Sequence, residues 1–201
     1  MNNESELCIL GKKYLVDKCP AINHSYTPQY HNLLSSMRDT AKIVVEIGIG
    51  NIPLMIGISG RNYLPGASLR MWRDYFSNAK IIGCDILDNV LFQEPPIHTF
   101  KVDQSSEASL INLMNTVKLI GDYADFIIDD GSHIEEHQII SFKALWPLVK
   151  KGGLYIIEDV FENNLEKYSH LHEKFNFVDA QVELIYRGLN DWDNFIAFRK
   201  M

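Results

Sequence analysis

Two stretches constrain this chain more than any others: Phe126-Ile127-Ile128-Asp129-Asp130-Gly131-Ser132-His133 and Gly153-Leu154-Tyr155-Ile156-Ile157-Glu158-Asp159. Each is a short apolar run that stops at acids. Continuous β-branched runs separated by a segment of helical period predict two buried parallel strands joined by a crossover helix. Such strands lie side by side, about 4.8 Å apart, with their carboxyl ends at one edge. Asp129, Asp130, Glu158 and Asp159 are therefore expected to crowd that edge. Four carboxylates so close repel, so some must take up protons or share a cation, and a hard divalent ion with oxygen ligands meets the need. The spacing does not choose between magnesium, calcium and manganese. His133, three residues beyond Asp130, is expected at the start of the next helix, with Ser132 and Glu135 as a capping box. This sets an imidazole beside a candidate metal site, at the edge where open α/β sheets bind ligands.

Upstream, Lys42 to Ile47 reads as the first strand and runs into Glu46-Ile47-Gly48-Ile49-Gly50. Glycines just past a strand let a backbone approach a ligand closely. Pro53 stands where a dinucleotide fingerprint has its third glycine, which disfavours that kind of site. Lys80 to Cys84 is a second strand, followed at once by Asp85, an acid placed to accept both hydroxyls of a ribose. A third strand, Ile97 to Val102, ends at Asp103-Gln104. Asp103 reads either as a ligand contact or as a helix cap. Asp129 reads as a strand-end acid satisfied by backbone N–H groups beside the same site.

The remaining pattern alternates helices and strands. Leu69, Trp72, Arg73 and Phe76 fall on one helical face, as do Leu110, Leu113, Met114 and Val117. The crossover helix presents Ile139, Phe142, Leu145, Trp146 and Val149, and Gly152-Gly153 is expected to stop it. Residues 51–66 read as a long loop, and a helix is expected from about Asn163 to Lys174. Ala180 to Tyr186 and Asn194 to Arg199 form a hairpin about Asn190-Asp191. Residues 1–40 have weak periodicity and read as a helical lid segment, with a helix near Gln29 to Arg38, packed on a domain of residues 41–201. Tyr26, Tyr63 and His137 are candidates for contact with an acceptor molecule, against the competing reading of boundary packing.

Composition removes several classes of function. At 201 residues, with 46% hydrophobic and 22% charged residues, a single domain with a full core is expected. No apolar run approaches the ~20 residues of a membrane helix, and the acidic start shows no signal peptide. Cys8, Cys19 and Cys84 lack metal or disulfide spacing, so a reducing, cytoplasmic compartment is expected. A net charge of −7 argues against a nucleic-acid partner.

Glu46-x-Gly48-x-Gly50, Asp85 after strand two, Asp103 after strand three and the terminal hairpin resemble a class I S-adenosylmethionine-dependent methyltransferase. Within that superfamily, Gly66-Ala67-Ser68-Leu69-Arg70-Met71-Trp72-Arg73, Asp129 to His133 and Gly152 to Asp159 are similar to the mycinamicin-type and rhamnosyl sugar O-methyltransferases. The resemblance implies a Rossmann-like α/β fold, with a seven-stranded, mostly parallel sheet, an antiparallel last strand and helices on both faces. It implies S-adenosylmethionine bound near Glu46, Gly48, Gly50, Asp85, Asp103, Gln104 and Asp129. Magnesium, or manganese, would be held by Asp130, Glu158 and Asp159. His133 would be the general base, with Asp130 as its catalytic neighbour, toward a hydroxyl of a sugar in a glycoside or glycan. The macrolide enzymes carry an extra N-terminal domain, whereas this chain is expected to begin almost directly at the catalytic domain, which leaves both the macrolide acceptor and a homo-oligomer open.

Three rival readings remain. A catechol-type metal-dependent O-methyltransferase would need an apolar slot for an aromatic ring. A non-catalytic S-adenosylmethionine-binding protein would have no use for the acids and His133 together. A cephalosporin-hydroxylase-like protein would need two histidines and a carboxylate as an iron triad, which is not evident.

Overall fold

The computed structural model describes residues 4–201. Strands β1 (Ile43–Ile47), β2 (Lys80–Asp85), β3 (Gln93–Glu94), β4 (Ile97–Lys101), β5 (Ala124–Asp129), β6 (Val149–Ile157), β7 (Ala180–Arg187) and β8 (Asn194–Lys200) form one sheet in the order β3-β4-β2-β1-β5-β6-β8-β7. The five strands from β4 to β6 run parallel, and β8 lies antiparallel between β6 and β7. The expected seven strands are present. The eighth is the two-residue β3, paired antiparallel with β4 across Pro95-Pro96, and two residues are too few to show an alternating pattern.

Alternation along the central strands divides the core in two. On one face Val44, Ile81, Phe126, Ile128, Leu154 and Ile156 pack beneath α1 (Glu6–Tyr14), α2 (Tyr26–Leu34) and α4 (Ala67–Tyr75). On the other, Ile43, Val45, Ile47, Ile127, Tyr155 and Ile157 pack against α5 (Glu107–Gly121) and α6 (Glu135–Leu145). Both faces are covered, which is why these strands are apolar along most of their length. Trp72 and Trp146, one in each layer, are fully buried.

Several local expectations are corrected. Residues 52–59 form a helix, α3 (Ile52–Ser59), capped by the Asn51 side chain with Pro53 in its first turn. Its Gly57 and the all-round apolar residues gave no periodic signal. The 163–174 helix is two short ones, α7 (Leu165–Ser169) and α8 (Leu171–Lys174), broken at His170. The crossover helix ends before the glycines: Trp146–Leu148 is a 3-10 turn, and Gly152 sits at positive φ inside β6. The helix before β1 starts at Tyr26 rather than near Gln29.

Candidate active site

Strand parity decides where each acid points. Register pairs Glu46 with Ile128 and Ile128 with Ile156, all on the α1–α2 face. Two residues further along, Asp130 and Glu158 keep that parity, whereas Asp129 faces the other layer. Three acids thus converge on the underside of the segment joining α1 to α2. Lys18, on that segment and 1% exposed, fills the space between them. Its Nζ donates to Asp130 Oδ2 and to Glu158 Oε2 (2.7 Å) and lies 3.5 Å from Glu46 Oε1. The Tyr30 hydroxyl donates to Glu158 Oε1, and the Tyr26 hydroxyl donates to Asp159 Oδ1 (2.6 Å).

Burial alone would lower the Lys18 pKa, but Asp130, Glu158 and Glu46 outweigh it and hold the ammonium well above its usual value. Burial would likewise raise Asp130, but Lys18 and then His133 keep it below the usual carboxylate range. Asp159 is raised, by burial first and Asp130 second. Burial pushes Glu46 up to about 7, and its Oε1 has no hydrogen-bond partner.

A cavity of about 640 Å³ opens at this edge of the sheet. At one end it is floored by Gly48, Gly50, Asp85, Asp103 and Gln104, and at the other by Asp130, His133, His137 and Asp159. Gly48 has φ +96, and a Cβ there would stand 1.9 Å from the Asp130 carbonyl oxygen, so only glycine lets β1 turn against β5. Asp85 accepts from the backbone N–H of Ile49 (3.0 Å) and of Leu87 (2.9 Å), tying the glycine turn to β2. The Tyr63 hydroxyl donates to the Ile49 carbonyl (3.1 Å) and closes the same turn from α3's side.

At the other end, one ligand atom each from Asp130, His133 and Asp159 lie within 4.8 Å of one another. His133 and Asp159 both hold left-handed backbone, φ 55 and 53, a conformation that costs energy in a non-glycine residue. His133 Nε2 lies 3.6 Å from Asp159 Oδ2.

The expected site residues therefore divide. The structure brings Gly48, Gly50, Asp85, Asp103, Gln104, Asp130, His133, Asp159, Tyr63 and His137 to the cavity wall. It does not bring Glu46 there: that side chain is buried under α4, accepting from Trp72 Nε1 (3.0 Å). Asp129 is also fully buried, accepting from Gln104 Nε2 (2.5 Å), whose Oε1 in turn accepts from Ser132 N–H. Glu158 faces Lys18 and Tyr30 rather than the cavity. Tyr26 reaches the site only through its hydroxyl on Asp159.

The capping box is absent. Helix α6 starts at Glu135 without a side-chain cap, and the Ser132 hydroxyl bonds His137 Nδ1 (2.9 Å). Asp103 does not cap α5 either, since Ser106 does, and its Oδ1 accepts from Ser105 instead. Lys18 was not anticipated. The shared parity of residues 46, 130 and 158 was a usable signal for a buried acid cluster, but nothing in Val16-Asp17-Lys18-Cys19-Pro20 distinguishes it from a surface turn.

A sheet of this order, with a glycine turn after β1 and acids after β2, β5 and β6, has the Rossmann-like fold of the class I methyltransferases. Within that fold the chain resembles the sugar O-methyltransferases of mycinamicin and rhamnosyl type. It is 40% identical over 137 residues to the 8-demethyl-8-alpha-L-rhamnosyl tetracenomycin-C 2'-O-methyltransferase of Streptomyces olivaceus, which covers 68% of this chain and 33% of that one. It is 35% identical over 160 residues to the mycinamicin VI 2''-O-methyltransferase of Micromonospora griseorubida, covering 80% of this chain and 37% of the relative. The solved MycE methyltransferase from the mycinamycin biosynthetic pathway, in complex with Mg, SAH and mycinamycin VI, superposes with a TM-score of 0.74 at 26% identity over 98% of this chain and 55% of that one. The chain thus spans about a third of the length of the curated relatives it matches. No family model matches it.

Proposed function

We propose that the protein is an S-adenosylmethionine-dependent O-methyltransferase, assisted by magnesium or manganese, that methylates a hydroxyl of a sugar. The observation that carries this reading is one continuous cavity with a glycine turn and ribose-placed acid at one end and Asp130, His133 and Asp159 at the other. The 2''- and 2'-O-methyltransferase names of the relatives point to the same reaction class. The acceptor is taken to be a small glycoside or a glycan-borne sugar, since a net charge of −7 suits neither nucleic acid nor an anionic membrane surface. None of the helices among the described residues is long and apolar enough to cross a membrane. Three free, buried cysteines accord with a reducing, cytoplasmic setting.

A sugar hydroxyl is a poor nucleophile near neutral pH, so the chain must both orient it and take its proton. S-adenosylmethionine supplies an electrophilic methyl on sulfur. The turn at Gly48 and Gly50 admits the cofactor to the backbone, and Asp85, each of whose oxygens keeps a second lone pair, accepts the ribose hydroxyls. Asp130 and Asp159 offer hard oxygens that would hold a divalent ion, and the charge it would supply there favours loss of a proton from a nearby hydroxyl. His133 accepts the hydroxyl proton as the oxygen bonds the methyl carbon and the carbon–sulfur bond breaks, its electron pair leaving on sulfur as neutral S-adenosylhomocysteine, an assistance worth typically ~10²–10⁴-fold. Asp159, 3.6 Å from His133 Nε2, steadies the imidazolium that results. Tyr26 anchors Asp159 from behind through its hydroxyl.

Calorimetric titration of S-adenosylmethionine, with magnesium and after chelation, tests the reading when the same cell is then challenged with deoxysugar glycosides. Cofactor binding in both conditions, with glycoside binding only when metal is present, is expected. Absence of cofactor binding throughout would discard the methyltransferase reading, and metal-independent glycoside binding would discard the metal's role in it.

A further inference from the structure

We propose that the acceptor sugar is read by the Asn23 amide, held in one orientation by a relay from Asp193 through His24, with an apolar face of the ring laid on Trp192. The inference rests on the functional reading above for the presence of a sugar, and on groups which that reading leaves unused. Asn23, His24, Phe161 and Trp192 all line the cavity. His24 is 6% exposed; its Nδ1 lies 2.8 Å from Asp193 Oδ1 and its Nε2 lies 3.0 Å from Asn23 Nδ2. A carboxylate only accepts, so Nδ1 carries the proton shared with Asp193, and in the neutral ring Nε2 accepts. Of the two ends of the Asn23 amide, only Nδ2 donates, so the relay decides which way the amide faces. One N–H is spent on His24. The second N–H and Oδ1 remain, a donor and an acceptor for a sugar hydroxyl, which itself does both.

Asn23 is exposed, and without the relay its amide would turn freely. The relay is anchored in two distant parts of the chain. The His24 N–H donates to the Asp17 carbonyl (2.7 Å) and the Asp193 N–H to the Asn190 carbonyl (3.1 Å). The His24 ring stacks on Tyr26 (4.8 Å between centroids, 6° between planes), whose hydroxyl holds Asp159. The amide is thereby in register with the acid beside the reacting hydroxyl, and takes a hydroxyl of the same ring that does not react. Trp192 stands perpendicular to His24 at 5.3 Å and is 40% exposed, whereas Trp72 and Trp146 are buried. An aromatic face fixed in this way offers apolar surface to the C–H face of a pyranose.

Methyl α-L-rhamnopyranoside, with the three analogues that each lack one of its ring hydroxyls, tests this without turnover when titrated into the full chain holding S-adenosylhomocysteine and magnesium. The wild type is expected to bind the parent glycoside with a change in tryptophan fluorescence. Trp192→Phe, which keeps a ring, should hold the affinity within about threefold and lose that change, and Trp192→Ala should weaken binding by about tenfold or more. Asn23→Ala should weaken the parent by about threefold to tenfold, as loss of one hydrogen bond does. One of the three analogues should stay within about twofold in that variant, because it already lacks the hydroxyl the amide holds. His24→Asn keeps a donor for Asp193 and drops the Nε2 acceptor. It should reproduce the Asn23→Ala pattern, with no further loss when the two are combined and with cofactor affinity unchanged, within about twofold. Folding is verified by circular dichroism, and Asn23→Ala, at an exposed position, keeps the test open if His24→Asn does not fold.

Equal losses for all four glycosides in Asn23→Ala, wild-type affinity in Asn23→Ala or in a folded His24→Asn, or a fluorescence change that survives Trp192→Phe would overturn the assignment. Cofactor binding with no glycoside binding would overturn it too, and would leave the methyltransferase reading standing. The expected glycoside pattern without cofactor binding would support the subsite and sink that reading. Binding of neither would sink both.

Discussion

The two ends of the cavity are built by different means. At the β1–β2 end the geometry is local: Gly48 turns against the Asp130 carbonyl, Asp85 ties two backbone N–H groups within reach, and Tyr63 closes the same turn from 14 residues away. At the β5–β6 end the geometry is made by side chains far apart in sequence, with Lys18 reaching 112 residues to Asp130 and 140 to Glu158. The first end is a shape held by backbone. The second is a charge balance held by tertiary packing, so each end should fail in its own way when altered.

The largest effect is expected at the charged end. His133→Ala should lower kcat by ~10²–10⁴-fold while leaving S-adenosylmethionine affinity, measured by calorimetry, within about twofold. Equal losses in both would show that the two ends cannot be separated. Next, Gly48→Ala forces a left-handed conformation and a backbone clash, and should cost about 2–4 kcal/mol in denaturant unfolding and abolish cofactor binding. A variant of wild-type stability would break the claim that backbone approach shapes that end.

Glu46 gives a pH-dependent contrast, because its carboxyl is buried on the charged side without facing the cavity. Its folded pKa, about 7, lies above the unfolded value of 4.5, so the native state holds the extra proton between them and stability falls as pH rises through that window. The loss amounts to as much as about 3 kcal/mol. Glu46→Gln, which keeps the bond from Trp72, should match the wild type below pH 4.5 and exceed it in melting temperature at pH 8. An unchanged pH profile would mean that Lys18 offsets the burial of Glu46 in full. The smallest effect is expected from Tyr63→Phe, which removes one hydrogen bond to Ile49 and should cost about 1 kcal/mol, visible as a slightly weaker cofactor affinity.

The parallel core was legible because β1, β2, β5 and β6 each carry consecutive apolar residues, and strands covered on both faces need them. The order of acids after those runs was legible for the same reason: a strand's end is marked in the sequence, and parallel neighbours end together. Helix α3 escaped because apolar residues on all sides have no period, and its Ile52, Leu54, Ile56 and Ile58 are left partly exposed beside the cavity mouth. The family resemblance sets Glu46 and Asp129, both at the end of a strand, near the cofactor, but nearness to a strand's end does not say which face a side chain takes. Register does, and it turns Glu46 under Trp72 and Asp129 toward Gln104.

By itself, then, the sequence determined that four acids and a histidine would meet a glycine turn at one edge of a doubly covered parallel sheet. Periodicity and strand ends are properties of neighbouring residues, and they survive without knowledge of the rest of the chain. Only the tertiary structure decided which acids face outward and what balances those that do not. A buried carboxylate must find a partner wherever the packing brings one, and here that partner is a lysine from a turn that has no periodic signature of its own.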